Sequence, residues 1–281
     1  MPGLEDELGD VVRKARTGLG LSIEELAARC GLSPQEVRSI EVYTLRPSEA
    51  VVRRLAEVLQ LRPDPLWALA QDAWAAPDVP WSIGDAFTID RLTNPYPEHC
   101  YVVTARSGEC LIVDPGDEPE RVVEAATRDG RRPVAILITH RHQDHTGAVV
   151  PVQRATGAPV YVHAGDLEGV AGVPPPARHA VAGEDEALQV GSIGLRVLHT
   201  PGHTPGSATF ILQDGGGQHV AAFCGDTLFA GSAGNARHSY QAILRSVQAL
   251  LTRLPPHARL YPGHGPATTV ANERERNPFL R

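Results

Sequence analysis

Within the run Thr139-His140-Arg141-His142-Gln143-Asp144-His145-Thr146-Gly147, four residues of metal-ligand type fall inside six positions. Side chains two apart in an extended segment share a side, so His140 and His142 point together. A turn into a helix then brings Asp144 and His145 round to a neighbouring point. Imidazole and carboxylate are the donors that hold zinc, ferrous iron or manganese. The apolar residues 134–138 just before the run read as a buried strand, and loops at strand ends commonly carry chemistry. A histidine-rich loop without function is the bland alternative, and so dense a set of donors argues against it.

Three later positions supply further donors. His203 sits in a Gly/Pro turn, Pro201-Gly202-His203-Thr204-Pro205-Gly206-Ser207. Asp226 follows an apolar stretch in Ala222-Phe223-Cys224-Gly225-Asp226-Thr227-Leu228-Phe229, and His264 does so in Leu260-Tyr261-Pro262-Gly263-His264-Gly265-Pro266. Each alone is more often a turn former than a ligand. His99, His163, His179, His219, His238 and His257 stand isolated and read as ordinary histidines, with His199 a weaker candidate to support His203. Cys224 on its apolar stretch reads as a core thiol rather than a ligand.

Together and in this order, these segments resemble the metallo-β-lactamase superfamily over about residues 82–281. The resemblance implies two divalent metal ions, zinc first, with iron or manganese as alternatives. His140, His142 and His203 would take one ion and Asp144, His145 and His264 the other, with Asp226 bridging. Two cations about 3.5–4 Å apart acidify a shared water, and they polarise a carbonyl and stabilise the oxyanion it becomes. Asp144 would act catalytically, orienting that water or taking its proton.

Finer motifs are similar to the glyoxalase II-like branch: Pro201 to Ser207, Gly225-Asp226-Thr227-Leu228-Phe229, Tyr261-Pro262-Gly263-His264-Gly265-Pro266-Ala267-Thr268-Thr269 and Asn277-Pro278-Phe279-Leu280. That branch implies a metal-dependent hydrolase acting on a small thioester or ester, of the hydroxyacylglutathione hydrolase kind. It also holds persulfide dioxygenases, so a mononuclear iron enzyme on His140, His203 and Asp226 is an alternative. The stretch Gly234-Asn235-Ala236-Arg237 departs from the Gly-Arg-Ser/Thr-Asp run common in the branch, and no glutathione-binding residue is carried over.

The elements that must position these residues follow from pattern. Residues 4–70 read as short helices, with Leu4, Leu8, Val12, Ala15 and Leu19 at helical spacing. Ser22-Ile23-Glu24-Glu25 and Ser33-Pro34-Gln35-Glu36 are capping boxes that start a second and a third helix, and Ser48 starts a fourth. Residues 20–41, with Arg46-Pro47-Ser48 and 55–59, are similar to a lambda-repressor-like (Xre-type) helix-turn-helix domain. Residues 73–82 lack periodicity and read as a linker. Beyond it, strands fit 101–104, 110–114, 134–138, 159–162, 187–199, 207–212, 218–224 and 259–261, with helices at 118–128 and 238–253. The expected architecture is a small all-α helix-turn-helix domain (1–72), a linker (73–82) and an αββα metallo-β-lactamase sandwich (83–281), an α+β/α/β multidomain chain.

The helix-turn-helix resemblance implies DNA binding through the third helix, where Gln35, Arg38 and Ser39 face outward while Val37 and Ile40 face inward. Gln suits adenine and Arg suits guanine. Residues 1–72 carry nine basic and twelve acidic side chains, so the arginines must be concentrated on one face for DNA to bind. An interaction or dimerisation module is the alternative use of this fold, and a metabolite-sensing regulator that binds DNA as a homodimer is the reading that joins both domains.

Composition excludes several classes. The chain has 281 residues with net charge −7, 42% hydrophobic and 21% charged residues, so it is neither disordered nor drawn as a whole to nucleic acid or anionic membranes. No apolar run approaches the ~18 residues of a membrane span. The acidic start argues against a secretory leader and for the cytoplasm. Cys30, Cys100, Cys110 and Cys224 have no CxxC spacing and read as reduced, mostly buried thiols.

Overall fold

A computed structural model describes residues 3–175 and 177–280. The helical part runs α1 (Leu8–Gly18), α2 (Ile23–Cys30), α3 (Pro34–Glu41), α4 (Glu49–Leu59) and α5 (Pro63–Ala70). Both capping boxes form. The Ser22 hydroxyl accepts from Glu25 N at 3.0 Å and the Glu25 carboxylate accepts from Ser22 N at 2.7 Å, with the same reciprocity between Ser33 and Glu36. Ser48 stands at the start of α4 without a side-chain cap bond. Leu4 lies outside α1 and packs on the core from an irregular segment, and α5 is a fifth helix that periodicity alone did not mark. Leu26, Val37, Val52, Leu55, Leu59 and Leu66 fill the centre.

The sandwich has two main sheets. In the first, β1 (Ser82–Ile83), β2 (Phe87–Thr93), β3 (His99–Ala105), β4 (Glu109–Val113), β5 (Arg132–Ile138), β6 (Val160–His163) and β7 (Arg178–Val181) lie in sequence order. Pairing is antiparallel from β1 to β4 and parallel from β4 to β7. The second sheet contains β8 (Asp185–Val190), β9 (Ile193–His199), β10 (Ala208–Gln213), β11 (His219–Gly225), β14 (Arg259–Pro262) and β15 (Thr268–Thr269). A two-stranded ribbon, β12 (Leu228–Phe229) with β13 (Ser232–Ala233), lies between β11 and β14 in sequence.

Residues 187–199, read as one strand, are a hairpin of β8 and β9. Gly191 turns the chain at φ +56°, a conformation that side-chain-bearing residues rarely adopt. Facing residues of the two sheets form one dry layer, including Val103, Leu111 and Leu137 from the first and Val197, Phe210 and Phe223 from the second. Helices α6 (Pro119–Thr127) and α8 (Val149–Thr156) cover the outer face of the first sheet. Helix α9 (Tyr240–Arg253) covers the second, with α10 (Val270–Arg276) at its side. The order of layers is helix, sheet, sheet, helix.

The helical domain is not hung on a free tether. One continuous core runs from Leu26 and Leu55 through Leu69 and Trp74 to Ile243, Val247 and Leu250. Gly18 at the end of α1 abuts the Tyr240 ring, where a Cβ would lie 2.3 Å from ring carbons. Arg62 Nη1 donates to Arg274 O at 2.8 Å, and Trp74 Nε1 donates to Arg276 O at 3.1 Å. The segment 73–82 thus has little regular structure but is fastened by buried Trp74 and Val79. Among the described residues no helix is long and apolar enough to cross a membrane.

Candidate metal centre

The centre is built where loops leave the strands at one edge of the sandwich. β5 delivers Thr139 and His140, and one turn of helix, α7 (Gln143–Thr146), swings Asp144 and His145 round. The β9–β10 turn brings His203, the end of β11 brings Asp226, and the end of β14 brings His264. The seven residues fall into overlapping groups: His140, His142 and His203; His140, His145 and Asp226; Asp144, His145 and His264. Within each group the ligand atoms lie within 4.8 Å of one another.

Asp226 stands between them. Its Oδ2 is 3.4 Å from His203 Nε2, and its Oδ1 is 3.4 Å from His145 Nε2 and 3.8 Å from His264 Nε2. His264 Nε2 is 3.5 Å from Asp144 Oδ2, and His142 Nδ1 is 2.8 Å from His203 Nε2.

Hydrogen bonds behind the rings choose which nitrogen faces inward. His203 Nδ1 donates to Asn235 O at 2.7 Å and His145 Nδ1 to Asp114 Oδ2 at 3.0 Å. The Thr139 hydroxyl donates to Asp114, so its oxygen accepts from His140 Nδ1 at 3.1 Å. Nε2 of each of these rings is thereby turned toward the centre. Buried polar atoms normally have partners, yet His140 Nε2, His145 Nε2 and Asp226 Oδ1 have none. Shared cations satisfy all three, so the donor set fits one or two metal ions.

Electrostatics separate three of the rings from His145. Burial holds His140 well below the usual imidazole range and His142 at about 4, with neighbouring imidazoles adding to the effect, and burial also lowers His203. Neutral rings are what a cation needs. Burial works against a charge on His145, but Asp226 and Asp114 outweigh it and raise that group. Burial opposes the charge on Asp226 too, and the adjacent His145 outweighs it and holds the carboxyl well below its ordinary value.

Residue-by-residue reading missed the supports. Asp114, directly after β4, accepts from Thr139 N at 2.8 Å as well as from the Thr139 hydroxyl and His145. Its signal was present: an acid ending a buried apolar run, as with Asp226. Buried Glu98 accepts from Asn94 Nδ2 at 2.8 Å, and its Oε1 lies 3.7 Å from His145 Nδ1. Asp166 ties the two histidine loops, accepting from Arg141 N at 3.1 Å and Gly206 N at 3.0 Å. His199 stays outside the centre, stacked on His163 with centroids 3.9 Å apart while its Nε2 donates to Pro205 O. The four cysteines are free and buried.

On α3, Gln35 and Arg38 are exposed and Ser39 half-buried, while Val37 and Ile40 are buried. Arg38 pairs with Glu24 at 3.4 Å. Arg13, Arg46 and Arg53 likewise meet Asp10, Asp72 and Glu49.

A small helical domain ahead of a helix–sheet–sheet–helix sandwich with a histidine–aspartate centre defines a metallo-hydrolase-type protein. Residues 93–264 match the family described as the metallo-beta-lactamase superfamily, and residues 12–66 match a helix-turn-helix family. The chain belongs to the metallo-β-lactamase superfamily. It is 35% identical over 189 residues to the probable metallo-hydrolase YqgX of Bacillus subtilis, covering 61% of this chain and 87% of that one. It is 37% identical over 181 residues to a hydroxyacylglutathione hydrolase of Anaeromyxobacter dehalogenans, covering 62% and 64%. The crystal structure of TTHA1623 in a di-iron-bound form superposes with TM-score 0.56 at 38% identity, over 68% of this chain and 100% of that one.

Proposed function

We propose that this protein is a metal-dependent hydrolase that cleaves a small thioester or ester. His140, His142 and His203 would hold one divalent ion and Asp144, His145 and His264 a second, with Asp226 contributing a carboxylate to the centre. The observation that carries this reading is the convergence on Asp226 of imidazole nitrogens whose opposite nitrogens are tied back, leaving three buried atoms without partners. When bound, such ions supply an acidified water and a polarised carbonyl.

The chain's own groups do the rest. Asp144 keeps a partly exposed carboxylate beside His264, held low chiefly by their hydrogen bond, so it is ionised and placed to orient a water and take its proton. Asn235 O, Asp114 and Thr139 hold His203, His145 and His140 in register. The hydroxyacylglutathione hydrolase among the relatives supports a thioester, and the di-iron relative supports iron beside zinc as the metal.

Elemental analysis of untagged protein tests this, together with a thioester and ester panel. About two metal equivalents per chain are expected, with turnover lost in Asp226→Ala and the fold retained. Undiminished turnover in that variant overturns the proposal. One iron per chain with oxygen uptake on a persulfide replaces it with the dioxygenase reading.

A second reading concerns the helical domain, which we propose to contact DNA through Gln35, Arg38 and Ser39, two copies acting together. The outer face of α3 supports it, with Gln35 and Arg38 exposed and Ser39 half-buried. A mobility shift at low salt, weakened by Gln35→Ala with Arg38→Ala, is the expected result, and no shift at low salt overturns it.

A further inference from the structure

A cavity of about 580 Å³ lies where the two domains meet, apart from the metal centre. Its walls come from the N-terminal segment (Leu4), the connecting segment (Trp74, Val79, Trp81), β2 (Arg91) and the loop after His264 (Ala267). None of the seven residues grouped around Asp226 lines it. Small-ligand pockets commonly occupy roughly 300–1,000 Å³ and favour domain junctions.

Two indoles line it. Trp74 is buried, locked by its bond to Arg276 O, and lies against Gly231. Trp81 leans on the Tyr261 ring with centroids 5.7 Å apart and keeps 38% of its surface exposed. The Arg91 guanidinium sits 5.0 Å from the centroid of Trp81. Arg91 is exposed and forms no ion pair among the described residues. Among the described residues it is the one cation lining the cavity. Of the two acids at the walls, Asp72 is paired with Arg46 and Asp78 is exposed to solvent.

We propose that this junction is a binding site for a small planar anion, an aromatic carboxylate. The ring lies against Trp74 and Trp81, and the carboxylate meets Arg91, whose planar fork is shaped for two parallel hydrogen bonds. Ala267, three residues after His264, lines the site, and Trp74 packs on Gly231, five residues after Asp226. It stands independently of the hydrolase reading.

The test uses 2-naphthoate titrated into the full-length protein, followed by calorimetry and by tryptophan fluorescence. One saturable site is expected. Arg91→Ala, at an exposed position, weakens it about tenfold with Tm unchanged, Trp81→Ala weakens it by a similar factor, and the uncharged 2-naphthylmethanol binds about tenfold more weakly. Wild-type protein stripped of metal by a chelator keeps the site. Three results overturn the proposal: no saturation up to millimolar naphthoate, binding that survives both substitutions, or binding lost on metal removal, which places the anion at the metal centre.

Discussion

The Asp114 carboxylate lies 3.0 Å from His145 Nδ1, and the same group receives the backbone N–H and the hydroxyl of Thr139. One buried acid thereby sets the tautomer of His145 directly and of His140 through Thr139. Asp114→Ala removes all three acceptor contacts. Metal affinity is expected to fall about 10–100-fold, measured by competition with a chromogenic chelator. Unchanged metal affinity would show that the rings are held by packing alone.

The seam between the domains makes a mechanical prediction. Gly18→Ala drives a methyl group into the Tyr240 ring, which is itself almost fully buried. Overpacking of this kind costs about 1–3 kcal/mol. Denaturant melts should show that loss in Gly18→Ala, and adding Tyr240→Ala should recover part of the strain by opening space. A hinged helical domain with no fixed seat would leave the Gly18→Ala melt unchanged.

Glu273 gives a pH dependence with a definite sign. Burial pushes its carboxyl up to about 7, even though Gly231 N, the Thr268 hydroxyl and Asn277 Nδ2 all donate to it. A raised folded-state value means the folded protein binds more protons than the unfolded chain between about 4.5 and 7. This contribution to stability is complete below 4.5 and is lost as pH rises through 7. Glu273→Gln has no such titration. Urea melts across that window should therefore shift in favour of the variant, relative to wild type, by roughly 3 kcal/mol. A constant difference would refute the assignment.

The acidic partners of the helical domain predict a weak salt dependence for DNA binding. Arg38 is shared with Glu24, so part of its charge is already compensated. Glu24→Gln should strengthen binding at low salt and steepen the slope of log K against log salt by up to about 0.9, the value of one added phosphate contact. Titration by fluorescence anisotropy reads both. If the slope stays the same, Arg38 contacts no phosphate.

The run from His140 to His145 was legible because its members are neighbours in the chain, and a strand followed by one helical turn brings them together whatever the rest does. The supports were not. Asp114 meets Thr139 and His145 across 25 and 31 residues, and Asp166 meets Gly206 across 40. An acid after an apolar run looks the same whether it faces a cation, a backbone amide or water. Helix α5 falls inside the stretch read as helical but has no capping box to mark its start; Pro63 occupies the first helical turn, where a missing N–H costs nothing. The segment 73–82 looked like a linker because burial of Trp74 depends on surfaces from elsewhere in the fold.

By itself, the chain's local order determined the central strands of both sheets, the capped helices α2 and α3, the donor types at the strand ends and the contrast between a helical and a strand-rich part. Each is settled by contacts a few residues apart: alternation, capping and turn chemistry. Only the tertiary structure decided which imidazole nitrogens face Asp226, how the helical domain seats on α9, and that a cavity with two indoles and one arginine is left between them. Those outcomes rest on packing and hydrogen bonds between distant segments, whose partners are chosen by the shape of the folded whole.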